Sequence, residues 1–306
     1  MAQVDAPVFL VGAPRSGTSL LYKALCLHPD VAWISNWVRR APGLPQLAML
    51  NRVARRLPQT RRVAWFGADA ANAYVYGRRR PLLLRVFPMP VEGEPVYRRC
   101  GIGPDGGPAG GSAGRVDPRQ VARLRRTFAA LSRYGGGRVL VSKRIANNQR
   151  IPLLAAAFPG ARFVHLIRDG RAVACSLARV DWWEDGVVWW YGGTPRRWRE
   201  DGGDPWELSA LHWLRELASV ETGLRAVAAD LQLTVRYEQL VDEPSRILRE
   251  IASFASVADD RGWARELARL RFPNRNDTWR DRVGPAVAAR LEAIQEQQLR
   301  AAGYIR

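Results

Sequence analysis

Four short apolar runs, at residues 8–12, 138–142, 161–167 and 232–237, do most to limit what this chain can fold into. Each is continuously apolar or β-branched rather than alternating, the pattern of strands covered on both faces of a parallel sheet. Helix-period stretches separate them, at residues 19–27, 118–132, 151–158, 171–179 and 208–228, and two more follow at 244–255 and 286–301. Strand and helix in alternation predict an α/β fold, a doubly wound parallel sheet flanked by helices. With 306 residues, 47% of them hydrophobic, the chain suits one large α/β domain or two small ones, and a single domain over residues 1–306 is the expectation.

Two stretches break the rhythm. Residues 38–117 are rich in Arg, Pro and Gly and end in a Gly-rich run at 101–114, too poor in side chains to pack, which reads as a mobile loop or lid. Residues 181–213 hold seven of the twelve tryptophans. In such folds inserted loops cluster over the ligand crevice, so 38–117 and 181–206 are expected to meet there as lid and acceptor-binding segments.

The first run ends in Gly12-Ala-Pro-Arg-Ser-Gly-Thr-Ser-Leu-Leu21, a glycine-rich turn feeding a helix. Backbone N–H groups and the positive end of the helix dipole converge on an anion at such a turn. Pro14, Arg15, Ser16, Gly17, Thr18 and Ser19 are the candidate binding residues, with Thr18 and Ser19 adding hydroxyl donors. The spacing is that of a P-loop, G-x-x-x-x-G, but Thr18 stands where the P-loop lysine belongs. A nucleotide kinase would lose its γ-phosphate cation there, so the loop reads as P-loop-like: built for phosphate groups, poorly built for ATP.

A second anion site is visible where the third run gives out at Arg168. Ser176 follows about two helical turns later, roughly 8–10 Å of rise, a gap that a long Arg side chain spans. The carboxyl ends of parallel strands are where such folds bind ligands.

Net charge is +18, nearly all of it Arg, with Lys only at Lys23 and Lys143. The excess is either a solvated surface that happens to use Arg or an affinity for anions: a polyanionic cofactor, an acidic acceptor, an anionic membrane surface or nucleic acid. No helix-turn-helix or aromatic-repeat motif accompanies the charge, so nucleic acid is not expected. The N-terminus carries no signal-peptide pattern, no apolar stretch reaches the roughly 18–20 residues a spanning helix needs, and Cys26, Cys100 and Cys175 have no metal or redox spacing. A cytoplasmic setting is the expectation.

Taken together these motifs resemble the sulfotransferases that use 3′-phosphoadenosine-5′-phosphosulfate (PAPS). Residues 14–21 look like that family's 5′-phosphosulfate loop, and Arg168 with Ser176 like its 3′-phosphate pair. The segment Arg236-Tyr-Glu-Gln-Leu-Val-Asp-Glu-Pro244 resembles the one whose tyrosine, here Tyr237, lies beside the adenine. Asn276-Asp-Thr-Trp-Arg280, with Trp279 and Arg280, resembles the C-terminal closing segment more weakly. The likeness is greatest to the bacterial, Golgi and tyrosylprotein branches, which share Arg168-Asp-Gly-Arg171 and His28-Pro-Asp-Val31. It implies an estrogen-sulfotransferase-like fold, PAPS as donor, 3′-phosphoadenosine-5′-phosphate (PAP) as product, and no metal. The alternatives are a protein of this fold that only binds PAP or PAPS, and a P-loop nucleotide kinase.

Sulfuryl transfer needs cations at the leaving group and a base near the acceptor. Lys143, at the end of the second run in a chain that otherwise uses Arg, is the candidate cation, because a compact ammonium is not replaced by a guanidinium. It also stands where the cytosolic branch carries its catalytic lysine. Arg15 is the second cation. For the base, the cytosolic branch's histidine position is Ile145, and the glutamate positions of the Golgi and tyrosylprotein branches read Ile34-Ser-Asn-Trp37. That leaves Glu92, Glu94, Asp69, Glu184 and His212, with Glu94 favoured. The tryptophans point to an amphiphilic acceptor, a glycolipid or lipid-linked metabolite, ahead of a stacked sugar or a phenolic compound.

Overall fold

A computed structural model describes residues 6–71, 81–104 and 117–306. Its sheet has five parallel strands: β1 Val8–Val11, β2 Val31–Ala32, β3 Val139–Lys143, β4 Arg162–Ile167 and β5 Gln232–Arg236, in the order β2-β3-β1-β4-β5. Four strands coincide with the predicted runs. The fifth, β2, has only two residues, too few for any periodic pattern to reveal it.

Strand β1 shows why the runs do not alternate. Val8 and Leu10 face one core with Leu20, Leu21, Ala24 and Val164. Phe9 and Val11 face the other, with Leu124, Phe128, Leu140 and Phe163. Successive side chains point to opposite faces of a strand, so a sheet covered twice makes every position apolar. The Phe9 ring stacks on Phe163 at 5.4 Å between centroids, and Phe128 on Phe158 at 5.3 Å. Each such side chain removed from water contributes roughly 1.5–3 kcal/mol. The helix Thr18–Leu25 covers the first face and Pro118–Gly135 the second, which makes the sheet doubly wound.

The chain leaves β1 towards β2 on one side and leaves β4 towards β5 on the other. These adjacent strands therefore form a switch point, and the loops after them diverge to leave a crevice at the carboxyl edge of the sheet. The described part of segment 38–117 consists of short helices around the β2 edge, where Asn51 donates to the Trp33 carbonyl at 3.1 Å. The Gly-rich run at 101–114 lies, from residue 105 onward, outside the described residues. Among the described residues no helix is long and apolar enough to cross a membrane.

Candidate active site

The loop after β1 is held in an unusual backbone shape. Gly12 and Gly17 have φ of 146° and 93°, and Arg15 between them has φ of 71°, a region that costs a non-glycine residue about 1–2 kcal/mol. At Gly17 a Cβ would lie 2.5 Å from the Tyr237 ring, so only glycine fits. Beneath the loop the Ser16 hydroxyl is buried and has no hydrogen-bond partner among the described residues. An orphaned donor inside a glycine-rich turn is what an anion-binding loop presents before its ligand arrives.

A buried network fixes the loop from behind. Asn148 accepts from the Gly12 N–H and donates to the Gly12 carbonyl, both at 3.0 Å. Its amide also donates to Glu216 Oε2 at 2.6 Å, joined there by Gln149 at 3.0 Å, while the Trp189 indole donates to Oε1 at 2.8 Å. Glu216 is fully buried; burial pushes its carboxyl above the usual range and the three donors pull it back. The Trp190 indole donates to His212 Nδ1 at 3.1 Å, so the ring proton sits on Nε2, 3.5 Å from Glu216. Burial lowers His212 to about 3, keeping it neutral.

Two clefts meet at Arg15. The first is lined by Arg15, Gly17, Arg168, Cys175, Ser176, Tyr237, Arg275, Trp279 and Arg282. Arg15 Nε donates to the Ser176 hydroxyl at 3.0 Å. The Arg168 guanidinium donates to the carbonyls of Arg15 and Arg275, both at 2.9 Å, and to the Asn276 side chain at 3.1 Å, and it stacks 4.3 Å from the Tyr237 ring centroid. The loops after β1 and β4 are thus joined through one arginine at the switch point.

The second cleft is lined by Pro14, Arg15, Thr18, Ser19, Arg39, Val91, Glu92, Glu94, Lys143, Ile145, Arg179 and Trp182. Segments 38–117 and 181–206 both contribute to its walls. Lys143, 6% exposed, closes onto Glu92, whose other oxygen accepts from the Ile145 N–H at 3.3 Å. Glu94 is held differently. Its carboxylate lies between the buried Arg144 guanidinium and Arg98 at 3.0 Å. The favoured base of the sequence reading is therefore the counter-ion of a buried arginine, and Glu92, two residues earlier, is the carboxylate beside Lys143.

The other base candidates lie elsewhere. Glu184 pairs with Arg199, Asp69 accepts from the Ala71 N–H at 3.3 Å, and His212 is enclosed in the network behind the loop. Arg280, one of the expected binding residues, is placed outside the first cleft. It is exposed and stacks on Trp279 from a shallow groove with Pro285 and Glu292, whereas Arg275 and Arg282 line the first cleft. Arg275 lies in irregular chain and Arg282 ends the short 3₁₀ helix Asp277–Arg282, and neither stretch is long enough to leave a periodic signal. Asn148 and Glu216 also escaped notice. Glu216 did leave one trace, an acid on the apolar helix stripe of Trp213, Leu217 and Val220.

Of the tryptophans, Trp182 is 52% exposed at the second cleft while its neighbour Trp183 is buried. Trp189 and Trp190 both turn inward, which the non-helical backbone around them permits.

A sequence profile described as the sulfotransferase family matches residues 7–88 and 112–261. Among solved structures, the chain is similar to sulfotransferase STF9 from Mycobacterium avium, with a TM-score of 0.60 at 16% identity, covering 98% of this chain and 77% of that one. It is also similar to sulfotransferase STF1 from Mycobacterium tuberculosis H37Rv, with a TM-score of 0.59 at 15% identity, covering 96% and 76%. At these identities the likeness is one of fold. No curated protein sequence matches.

Proposed function

The chain belongs to the sulfotransferase family, and from that premise we propose that it transfers a sulfuryl group from PAPS to a hydroxyl or amine of an amphiphilic acceptor. The observation that carries this reading is the meeting of two chemically different clefts at Arg15: one rich in arginine beside an aromatic ring, the other holding an ammonium–carboxylate pair.

The first cleft fits the donor. Ser16 offers a buried hydroxyl without a partner among the described residues, Gly17 allows close approach, and Arg168, Arg275 and Arg282 supply positive charge. Arg168 and Ser176 would hold the 3′-phosphate, Tyr237 and Trp279 would flank the base, and residues 14–19 would hold the 5′-phosphosulfate. The donor supplies a sulfuryl group on a phosphate leaving group, and negative charge grows on that phosphate as the bond breaks. Lys143 and Arg15 are the cations placed to meet it. Glu92 is the proposed base: it takes the proton of the acceptor hydroxyl, and once neutral it releases the Lys143 ammonium for the leaving group. Glu94 keeps Arg144 neutralised. An acceptor with an apolar body would lie between Trp182, Val91 and Ile145. The buried free thiols of Cys26, Cys100 and Cys175 are in keeping with a reducing, cytoplasmic setting.

Titration calorimetry with PAP, AMP and ATP tests the donor assignment. PAP should bind at least tenfold more tightly than AMP or ATP. ATP binding equal to that of PAP, strengthened by Mg²⁺, would favour a kinase. Tight PAP binding with no labelled sulfuryl transfer across a panel of hydroxyl acceptors would favour a protein that only binds.

A further inference from the structure

The positive charge of this chain is concentrated. Residues 31–91 contain eleven arginines and a single acid, Asp69, so they hold +10 of the net +18; Arg78, Arg79 and Arg80 lie outside the described residues, which leaves eight on the described part. Some of those arginines serve the fold: Arg55 donates to main-chain carbonyls and Arg61 pairs with Glu266. Arg56 and Arg85, by contrast, are exposed and make no ion pair among the described residues.

The same stretch carries six of the eight exposed large apolar side chains among the described residues: Leu44, Met49, Val53, Leu57, Leu82 and Leu83. Their placement has a pattern. Met49, Val53 and Leu57 are four residues apart along the helix Leu50–Arg56 and its ends, so they form one row. Asn51 and Ala54 face the core from the opposite side of that helix, and Arg56 is exposed beside the row, as is Arg52, whose guanidinium also donates to the carbonyls of Arg133 and Tyr134. The helix Pro58–Phe66 packs on Leu50–Arg56 and in turn on Leu82–Val86, where Leu82 and Leu83 are 71% and 69% exposed. A row of apolar side chains flanked by arginines, on short helices that cannot span a bilayer, has the character of a surface that lies in a membrane interface. Phosphates of a nucleic acid would meet the cations equally well but offer no apolar phase for the leucines.

We propose that this arginine-rich helical face docks on an anionic lipid bilayer, the apolar row entering the interface and the arginines meeting lipid phosphates. The stretch also supplies Arg39 and Val91 to the second cleft. Docking would therefore hold that cleft near acceptors that reside in the membrane; this last consequence rests on the proposed function, the docking itself does not.

The test is co-sedimentation with vesicles of phosphatidylglycerol and phosphatidylcholine against vesicles of phosphatidylcholine alone. The protein should bind the first and not the second. Met49→Ser with Val53→Ser, and separately Leu82→Ser with Leu83→Ser, should each weaken binding at least fivefold while PAP affinity stays unchanged; none of these residues lines either cleft. No binding to the anionic vesicles overturns the proposal. Binding that both double variants retain in full also overturns it, because general charge attraction would then suffice. A chain that binds vesicles but not PAP would sink the sulfotransfer reading and leave the docking intact.

Discussion

The Lys143 ammonium is bonded to the Glu92 carboxylate, although the two lie 51 residues apart in the chain. Beside this pair Arg144 takes Glu94, so two consecutive cations of β3 and the turn after it select two carboxylates of one short segment. This splits the consequences of mutation. Glu92→Gln should reduce PAPS turnover at least a hundredfold, the usual scale for a positioned base, and should destabilise the fold less than Glu94→Ala, because the glutamine amide oxygen still offers the buried Lys143 ammonium an acceptor. Glu94→Ala should leave Arg144, 1% exposed, without its counter-ion and cost roughly 2–3 kcal/mol of stability, discounted because Glu94 is itself 30% exposed. Urea denaturation and PAP-release assays on both variants check this. Full turnover in Glu92→Gln would remove it as the base.

Arg168→Ala removes charge-assisted bonds worth roughly 1.5–3 kcal/mol each. If Arg168 reads the 3′-phosphate, PAP affinity should fall at least tenfold while AMP affinity barely moves. Equal losses would mean that Arg168 only braces the Arg15 and Arg275 carbonyls, to which it donates at 2.9 Å. Calorimetry with the two nucleotides separates the cases.

Gly17→Ala combines a φ of 93° with a Cβ 2.5 Å from the Tyr237 ring. The loop must deform, at a cost of about 1–3 kcal/mol, and PAP binding should be lost. Tyr237→Ala opens a cavity of its own, since Tyr237 is buried, but it also removes the ring that the new Cβ meets, so the double variant should lose less stability than the two single losses added together. Strictly additive losses would show that the backbone conformation alone excludes a side chain there.

Burial lowers His165 to about 4 and His212 to about 3, from 6.5. A depressed folded-state pKa means that the unfolded chain binds more protons below about pH 6.5, so stability is full above that value and is lost as pH falls. His165 alone should remove about 2 kcal/mol between pH 7 and pH 5. Glu216, raised by burial, acts in the opposite sense. Urea unfolding of wild type and His165→Leu at the two pH values should show the variant less pH-sensitive by about that amount. An unchanged difference would mean that His165 titrates in the folded protein.

The strands and the loop were legible because their signals are local. A strand buried on both faces writes its burial into consecutive residues, and an anion-binding turn must place its glycines within a few positions of one another. Arg168 and Ser176 were legible for the same reason, eight residues apart, one just before the helix Gly170–Leu177 and the other near its end. By themselves those patterns determined an α/β sheet, four of its five strands and the place of the glycine-rich loop after the first of them. Which carboxylate faces Lys143, which arginines line the first cleft, and that Asn148 and Glu216 hold the loop from behind were decided only by the tertiary structure. Each of those contacts joins side chains that are dozens of residues apart, across irregular segments or between separate elements. No residue's identity reports its partner there: Glu92 and Glu94 are chemically the same group, and only the fold of the intervening chain brings one to the Lys143 ammonium at the wall of the second cleft and the other to the Arg144 guanidinium.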